Sequence, residues 1–297
     1  MKLIDVHAHL EGEKSEEGLD AVVDRAEKAG VKVVVNSGVN PETNRKVLEL
    51  SEKYDIFRAS FGMYPIDAIA DRFSDFGAPP QVPSEEGKDG YLRGIEAYDV
   101  DDELKWIEEH ADDCVAIGEI GLDFKVVENT TDEMKVAQEE VFRKVLKLAK
   151  KIDKPVVIHS RGAELRCFEI LEEMGFAAPK GVPPAQKASA DADKVGIVIH
   201  CFCGKKSLIK RGVENGWFFS VAPAIKRWQN FQMMVEIVPI EQLLTETDSP
   251  FLSPVVGERN ESANVAVTIG EIARIKGISE KEVADKIWEN AGKLGLV

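Results

Sequence analysis

The chain has 297 residues, of which 44% are hydrophobic, and its 53 acidic and 38 basic residues give a formal net charge of −15. This apolar content excludes a disordered chain, and no apolar run reaches the ~18–20 residues that a membrane-spanning helix needs. The acidic balance disfavours generic binding to nucleic acid, whose affinity comes from basic side chains. It does not exclude a phosphate ester as substrate, because metal ions can reverse the sign of the field in a cleft.

Cellular location and redox state follow from the N-terminus and the cysteines. Asp5 introduces a negative charge too early for a secretory signal, so we expect a cytoplasmic protein. Four cysteines are too few for a disulfide framework in a chain of this length, and we expect them to be reduced. Nothing in the sequence indicates a membrane partner or an obligate protein partner.

Short β-branched runs alternate with longer segments of helical periodicity along the whole chain. The runs are continuously apolar, as in Val33-Val34-Val35, which is typical of parallel strands that are covered on both faces. Eight strands are predicted: Leu3–His9, Val31–Ser37, Phe57–Gly62, Val115–Glu119, Val156–His159, Gly196–His200, Trp217–Val221 and Gln242–Thr247. The repeated alternation predicts an α/β fold, a single (β/α)8 barrel of the TIM type over residues 1–297.

Three of the predicted helices begin at recognisable caps. Asn40 precedes a proline at the first helical position, which predicts a helix to about Lys53. Thr130 and Ser279 each stand three residues before a glutamate, which is the spacing of a capping box. They predict helices that run to about residue 152 and over residues 281–291.

Two turn-rich stretches interrupt this rhythm, at residues 66 to about 100 and at 176–194. Loops of this length are usually functional or mobile. The first follows the carboxyl end of a strand, which is the active-site face of such a barrel, so it is the better candidate for a lid. The second follows a helix and is expected to be passive.

Four of the five histidines lie at the carboxyl ends of predicted strands: His7, His9, His159 and His200. In His7-x-His9 the two side chains project to the same face because a strand has a period of two, which suits a shared metal ion. Asp5 points the same way but lies deeper, so we expect it to support a ligand. These strand ends predict a metal site in the mouth of the barrel.

Carboxylates accompany the histidines. Glu119 ends the fourth strand among apolar residues and glycines, where an unpaired carboxylate would be costly. It could bridge two metal ions, or it could pair with a lysine or arginine. Asp248 follows the eighth strand, and Asp123 could be a cap, a substrate contact or a support for a ligand. Nitrogen and oxygen ligands suit Zn, Mn, Fe, Co or Ni better than Mg, so we expect two divalent ions of open identity.

In five of its motifs the chain resembles the TatD family of metal-dependent deoxyribonucleases, within the amidohydrolase superfamily. The resemblance is carried by an ordered set of motifs: Val-His-Ala-His at 6–9, Gly-Glu-Ile-Gly-Leu-Asp at 118–123, Pro-Val-Val-Ile-His-Ser-Arg at 155–161, Ile-His-Cys-Phe-Cys-Gly at 199–204 and Thr-Glu-Thr-Asp-Ser-Pro at 245–250. It implies that His7, His9, Glu119 and Asp248 hold one metal ion. Glu119, His159 and His200 would then hold the other.

The resemblance implies hydrolysis of a phosphodiester by a metal-activated water, with single-stranded DNA ends as one possible substrate. Asp248 is our choice for the base that takes the proton of this water, and Glu119 for the bridging carboxylate. Arg161 could clamp a phosphate oxygen or form a surface salt bridge. Many family members have Gly-x-His-Pro-His after the third strand, whereas this chain has Tyr64 and Ile66 in place of the two histidines. The departure leaves the identity of the substrate open.

Two other functions remain open. A hydrolase of amides, lactones or cyclic imides uses the same barrel and the same His-x-His, but such enzymes often carry a carboxylated lysine where this chain has Glu119. A scaffold that binds metal without catalysis is the second alternative. Both predict the same fold, so only substrate and metal measurements separate them.

Overall fold

A computed structural model describes residues 1–12, 17–73, 96–125, 130–178 and 195–297. Its strands form one eight-stranded parallel sheet in which neighbours along the chain are neighbours in space. The strands are β1 (Leu3–Ala8), β2 (Val31–Ser37), β3 (Phe57–Phe61), β4 (Ala116–Gly121), β5 (Val156–His159), β6 (Ile197–Ile199), β7 (Phe218–Val221) and β8 (Leu243–Thr245). The prediction of a parallel barrel with intervening helices is confirmed, and each predicted strand overlaps an observed one.

The barrel closes where the chain beyond β8 meets β1. The backbone N–H of Asp248 donates to the carbonyl oxygen of His7 at 2.9 Å, and that of His9 donates to the carbonyl oxygen of Ser249 at 2.7 Å. Below these bonds the hydroxyl of Thr245 donates to the carbonyl oxygen of Ile4 at 2.6 Å. This closure brings the first and last of the predicted site residues together.

Helices cover the outside of the sheet. Within the described residues they are α1 (Gly18–Ala29), α2 (Pro41–Lys53), α3 (Val100–Glu109), α4 (Asp132–Ile152), α5 (Glu164–Glu173), α6 (Lys206–Glu214), α7 (Gln229–Ile237), α8 (Val265–Lys276) and α9 (Glu280–Lys293). None of these helices is long and apolar enough to cross a membrane. Every residue of β1, β4 and β7 is buried, as expected for strands between a packed barrel interior and a layer of helices.

The helix caps agree with the sequence at two of three positions. Asn40 accepts a hydrogen bond from the backbone N–H of Thr43 at 3.0 Å, and Ser279 caps α9 with Glu282. The prediction that Thr130 caps α4 is wrong. Thr131 is the cap, because its own extended backbone places its hydroxyl 3.2 Å from the N–H of Met134. Both adjacent threonines have a hydroxyl that can cap a helix, and the three-residue spacing to Glu133 favoured Thr130.

The two predicted insertions are described only in part. Residues 74–95 of the first and 179–194 of the second lie outside the described residues, and so does the lid prediction that rests on them. The described beginning of the first is a buried 3-10 turn at Asp67–Ile69, and its end leads into α3. Residues 66–69 are therefore part of the packed barrel.

Candidate metal centre

Six side chains converge at the carboxyl ends of the strands, and all six are among the predicted site residues: His7, His9, Glu119, His159, His200 and Asp248. They come from β1, β4 and β5 or follow β1, β6 and β8 by one to three residues. Because parallel strands end at one rim of a barrel, residues up to 241 positions apart in the chain become neighbours here. The polar ends of otherwise apolar strands thus form one cluster.

One half of the cluster surrounds the end of β1. The Nε2 atoms of His7 and His9 each lie 3.6 Å from Oδ1 of Asp248. Glu119 faces the same two rings, with 3.8 Å to His7 Nε2 and 3.7 Å to His9 Nε2. These separations are too long for hydrogen bonds. They are the spacing, about 3–4 Å, of ligands that each lie ~2.0–2.2 Å from a common metal ion.

The other half lies at the ends of β5 and β6. Oε2 of Glu119 is 2.9 Å from Nε2 of His200 and 3.3 Å from Nδ1 of His159. Those two imidazole nitrogens are 3.3 Å apart. The carboxylate of Glu119 therefore belongs to both halves, in the position that a bridging ligand takes between two ions.

The buried imidazole of His7 tests whether a metal fits. Its Nε2 is inaccessible to solvent and has no hydrogen-bond partner in the part of the chain that the structure describes. An unsatisfied buried polar atom costs about 1–3 kcal/mol. Burial and the neighbouring His200 and His9 hold the pKa of His7 well below its usual value, so the ring is neutral. A neutral imidazole with a free lone pair is what a metal ion requires, so the donor set fits.

Ser37, the last residue of β2, orients both histidines of β1. Its hydroxyl lies 3.0 Å from Nδ1 of His7, and its carbonyl oxygen lies 2.9 Å from Nδ1 of His9. Each ring therefore turns its Nε2 toward the carboxylates. Sequence reasoning missed Ser37, although its position at the end of the strand beside β1 was a usable signal.

Asp123, for which the sequence left three roles open, lies against His159 and contacts two further side chains. Oδ2 of the fully buried Asp123 accepts from Nε2 of His159 at 2.9 Å, from Nε of Arg161 at 2.9 Å and from the hydroxyl of Tyr64 at 2.7 Å. Burial raises the pKa of Asp123, but these partners outweigh it and hold the pKa at about 2. Tyr64 thus lies one hydrogen bond behind His159, with its ring edge-on to the imidazole at 5.0 Å.

Close packing of β4 against β5 makes this arrangement possible. Gly121 has a φ of +143°, and a Cβ there would lie 2.0 Å from the carbonyl oxygen of His159. Only glycine fits that approach without moving β5. Gly121 is therefore part of the geometry that brings Glu119 to His159.

Glu246 lies beside His200 and was also missed by sequence reasoning. This fully buried carboxylate accepts from the hydroxyl of Ser220 at 2.6 Å and from the backbone N–H of Cys201 at 2.8 Å. Its Oε2 lies 3.6 Å from Nδ1 of His200, outside hydrogen-bond range. The available signal was its place in Thr-Glu-Thr-Asp, between β8 and Asp248.

Asp5 contacts neither histidine ring. Its carboxylate accepts from the N–H of Thr247 at 2.8 Å, the hydroxyl of Thr247 at 2.5 Å and the hydroxyl of Ser262 at 2.7 Å, and more weakly from the N–H of His7 at 3.3 Å. Burial raises its pKa to about 7 despite these bonds. Asp5 thus joins β1 to the segment that carries Asp248, and it supports the site through the backbone.

The pKa values of the two carboxylates of the cluster are shifted in opposite directions. Burial raises the pKa of Glu119, but hydrogen bonds from His159 and His200 outweigh it and hold the pKa well below the usual value. Asp248 has a pKa raised to about 6, chiefly by burial. Glu119 is therefore a permanent anion between the histidines, whereas Asp248 is the stronger proton acceptor of the two.

Comparisons with known proteins match this chain over nearly its whole length. A family model described as TatD related DNase matches residues 4–294. Human deoxyribonuclease TATDN3 is 33% identical over 293 residues, covering 98% of this chain and 94% of its own. The uncharacterized metal-dependent hydrolase MJ1582 of Methanocaldococcus jannaschii is 32% identical, covering 99% and 96%. The TatD homologue YjjV of Escherichia coli K12 superposes with a TM-score of 0.74 at 22% identity, covering 98% and 97%, which shows the shared fold.

Proposed function

Because this chain belongs to the TatD-related DNase family and is a metal-dependent hydrolase that acts on ester bonds, we propose that it cleaves phosphodiester bonds in DNA with two divalent metal ions. His7, His9, Glu119 and Asp248 would hold one ion, and Glu119, His159 and His200 the other. The observation that carries this proposal is the shared carboxylate of Glu119, which faces both histidine pairs at 2.9–3.8 Å.

The chemistry divides between the ions and the protein. Divalent ions held there would activate a water molecule and stabilise charge on the phosphoryl group and the leaving group. Asp248 would accept the proton of the attacking water, because it reaches the centre from a different strand end than the bridging Glu119 and its Oδ1 lies 3.6 Å from Nε2 of both His7 and His9. Nitrogen and oxygen donors favour Zn, Mn, Co or Ni over Mg for these positions.

Residues behind the cluster fix the orientation of the metal-binding side chains. Asp123 binds Nε2 of His159, which leaves Nδ1 directed at Glu119. Such carboxylate–histidine pairs fix the ring and increase its basicity, and their loss typically costs 10–100-fold in metal affinity or activity. Tyr64 and Arg161 hold Asp123 from two further sides. We assign Tyr64 to this supporting network.

Arg161 is placed to bind substrate as well. Its Nε is engaged with Asp123, but its Nη2 is inaccessible to solvent and has no hydrogen-bond partner among the described residues. Nη2 thus belongs to the same guanidinium group whose Nε contacts Asp123, the carboxylate that binds His159. A phosphate oxygen above the metal centre would satisfy it with a charge-assisted hydrogen bond.

A substrate panel tests this function. We expect the metal-loaded protein to hydrolyse a nitrophenyl phosphodiester and short single-stranded DNA, and to leave cyclic amides, lactones and imides unchanged. Release of nitrophenol and of labelled nucleotides measures the first two, and loss of ring absorbance measures the others. Turnover of the amides or lactones alone would replace the proposal by the second hydrolase function. No turnover of any substrate at full metal content would indicate a scaffold.

A further inference from the structure

Three consecutive loops at the barrel mouth have an unusual charge. Residues 160–163, 201–206 and 222–228 follow β5, β6 and β7, and together they contain five basic and no acidic residues in a chain of net charge −15. We call these loops the basic rim. Its basic residues are Arg161, Lys205, Lys206, Lys226 and Arg227. The nearest acid beyond the first loop, Glu164, accepts a hydrogen bond from the N–H of Gly162.

The three loops are neighbours in space and border the metal centre. β5, β6 and β7 are adjacent in the sheet, so the loops after them occupy one sector of the mouth. The first two loops begin directly after His159 and His200. Arg227 donates to the carbonyl oxygen of Ser253 at 3.0 Å, which ties the third loop to the segment beyond Asp248.

The lysines of the basic rim are available for a ligand. Lys205, Lys206 and Lys226 are exposed, and none of them forms a salt bridge with another described residue. Exposed lysines elsewhere in this chain commonly pair with a carboxylate three or four residues away, as Lys28 does with Asp24 and Lys281 with Asp285. Three of the five basic residues of the rim therefore carry positive charge that is not paired with a carboxylate of the described residues.

An aromatic platform lies within the same sector. The half-buried ring of Trp228 stacks on Phe231 at 5.5 Å and 18°, and the guanidinium of Arg227 lies 5.6 Å from its centre. Rings backed in this way, beside a basic track, are how proteins bind single strands without sequence preference, since every base has a face that can stack.

We propose that the basic rim binds the phosphate backbone of a single-stranded nucleic acid. The bound strand would run from the metal centre across the ends of β5, β6 and β7. This inference rests on the proposed function. Arg161 would take a phosphate next to the metal centre, and the lysines would take those further along. A single strand is favoured over a duplex, because only unpaired bases can stack on the ring of Trp228.

Binding of a fluorescent phosphorothioate single strand to the metal-loaded protein tests this role of the basic rim. The strand keeps its charge and resists cleavage, so anisotropy gives Kd over a range of potassium chloride concentrations. The test variant combines Lys205→Gln, Lys206→Gln and Lys226→Gln. We expect Kd to rise about tenfold at low salt, and the slope of log affinity against log salt to fall by about 2, because each lost phosphate contact removes about 0.7.

A matched variant controls for overall charge. Lys28→Gln, Lys105→Gln and Lys281→Gln remove the same charge from α1, α3 and α9, and they should leave Kd and the salt slope unchanged. Both triple variants should hydrolyse the nitrophenyl phosphodiester at the wild-type rate. A wild-type salt slope in the rim variant, or duplex binding as tight as single-strand binding, would overturn this role of the basic rim. Failure of the wild type to hydrolyse the small ester would instead overturn the proposed function.

Discussion

Glu119→Gln is expected to abolish hydrolysis and to lower the metal content of the protein. The substitution keeps the shape of the side chain but removes the anion that, alone among the described residues, faces all four imidazoles of the cluster. It also directs an amide that donates hydrogen bonds toward nitrogens that must bind metal. A loss of about 4 kcal/mol of transition-state stabilisation corresponds to about 10³-fold in kcat/KM. Steady-state kinetics and metal analysis of the purified variant measure both effects.

Glu103 provides the matched control for that substitution. It is a buried glutamate outside the cluster, 2% exposed, and it pairs with Arg45 and Asn44. Glu103→Gln should lower the melting temperature and leave metal content and kcat/KM near wild type. If Glu119→Gln kept full metal content and activity within tenfold of wild type, Glu119 would not be the bridging ligand.

Asp248→Asn is expected to lower kcat by about 10²–10⁴-fold while KM for the nitrophenyl phosphodiester changes little, which is the range for loss of a general base. The backbone should tolerate the change, because Asp248 has a φ of 54° and asparagine adopts this region readily. If the variant still binds a metal ion at Glu119, His159 and His200, its lower kcat reflects loss of the base and not loss of the whole metal centre. Steady-state kinetics, with metal analysis on the same preparation, makes this distinction.

A second aspartate in the same conformation controls for the backbone. Asp153 follows α4 with a φ of 53°, is exposed, and precedes β5, so it lies at the opposite end of that strand from His159. Asp153→Asn should leave kcat unchanged. If Asp248→Asn retained more than a tenth of the wild-type kcat at equal metal content, another group would be the proton acceptor.

The fold could be predicted from the sequence because the alternation of strand and helix patterns repeats along the chain. Eight apolar β-branched runs and the segments between them are enough to predict a parallel barrel, and a barrel places all strand ends at one rim. This geometric rule is why His159 and His200 could be predicted to meet His7 without any local signal that connects them. The choice between Thr130 and Thr131 as a cap depended on backbone angles that no pattern encodes.

The supporting residues were harder to predict. Ser37 and Glu246 are ordinary polar residues at strand ends, and their roles follow from which ring nitrogen faces them across neighbouring strands. Asp123 was noticed, but its role depends on contacts with Tyr64 and His159, respectively 59 and 36 positions away. Sequence spacing cannot specify such contacts.

Net charge was a poor guide to the surface. An overall charge of −15 argued against nucleic acid, yet all the charged residues in the loops after β5, β6 and β7 are basic. Composition averages over the whole chain, whereas a substrate meets one sector of the barrel mouth. The order of the strands is what shows that these separate loops form one surface.

The most direct test of the two-metal centre is anomalous X-ray diffraction from crystals of the wild-type protein loaded with Mn²⁺. Two peaks are expected at the barrel mouth, about 3.5–4 Å apart as in other two-metal sites. One peak would lie beside His7, His9 and Asp248, the other beside His159 and His200, and each would contact an oxygen of Glu119. A single peak at saturating metal, or two peaks that do not share Glu119, would contradict the two-metal centre.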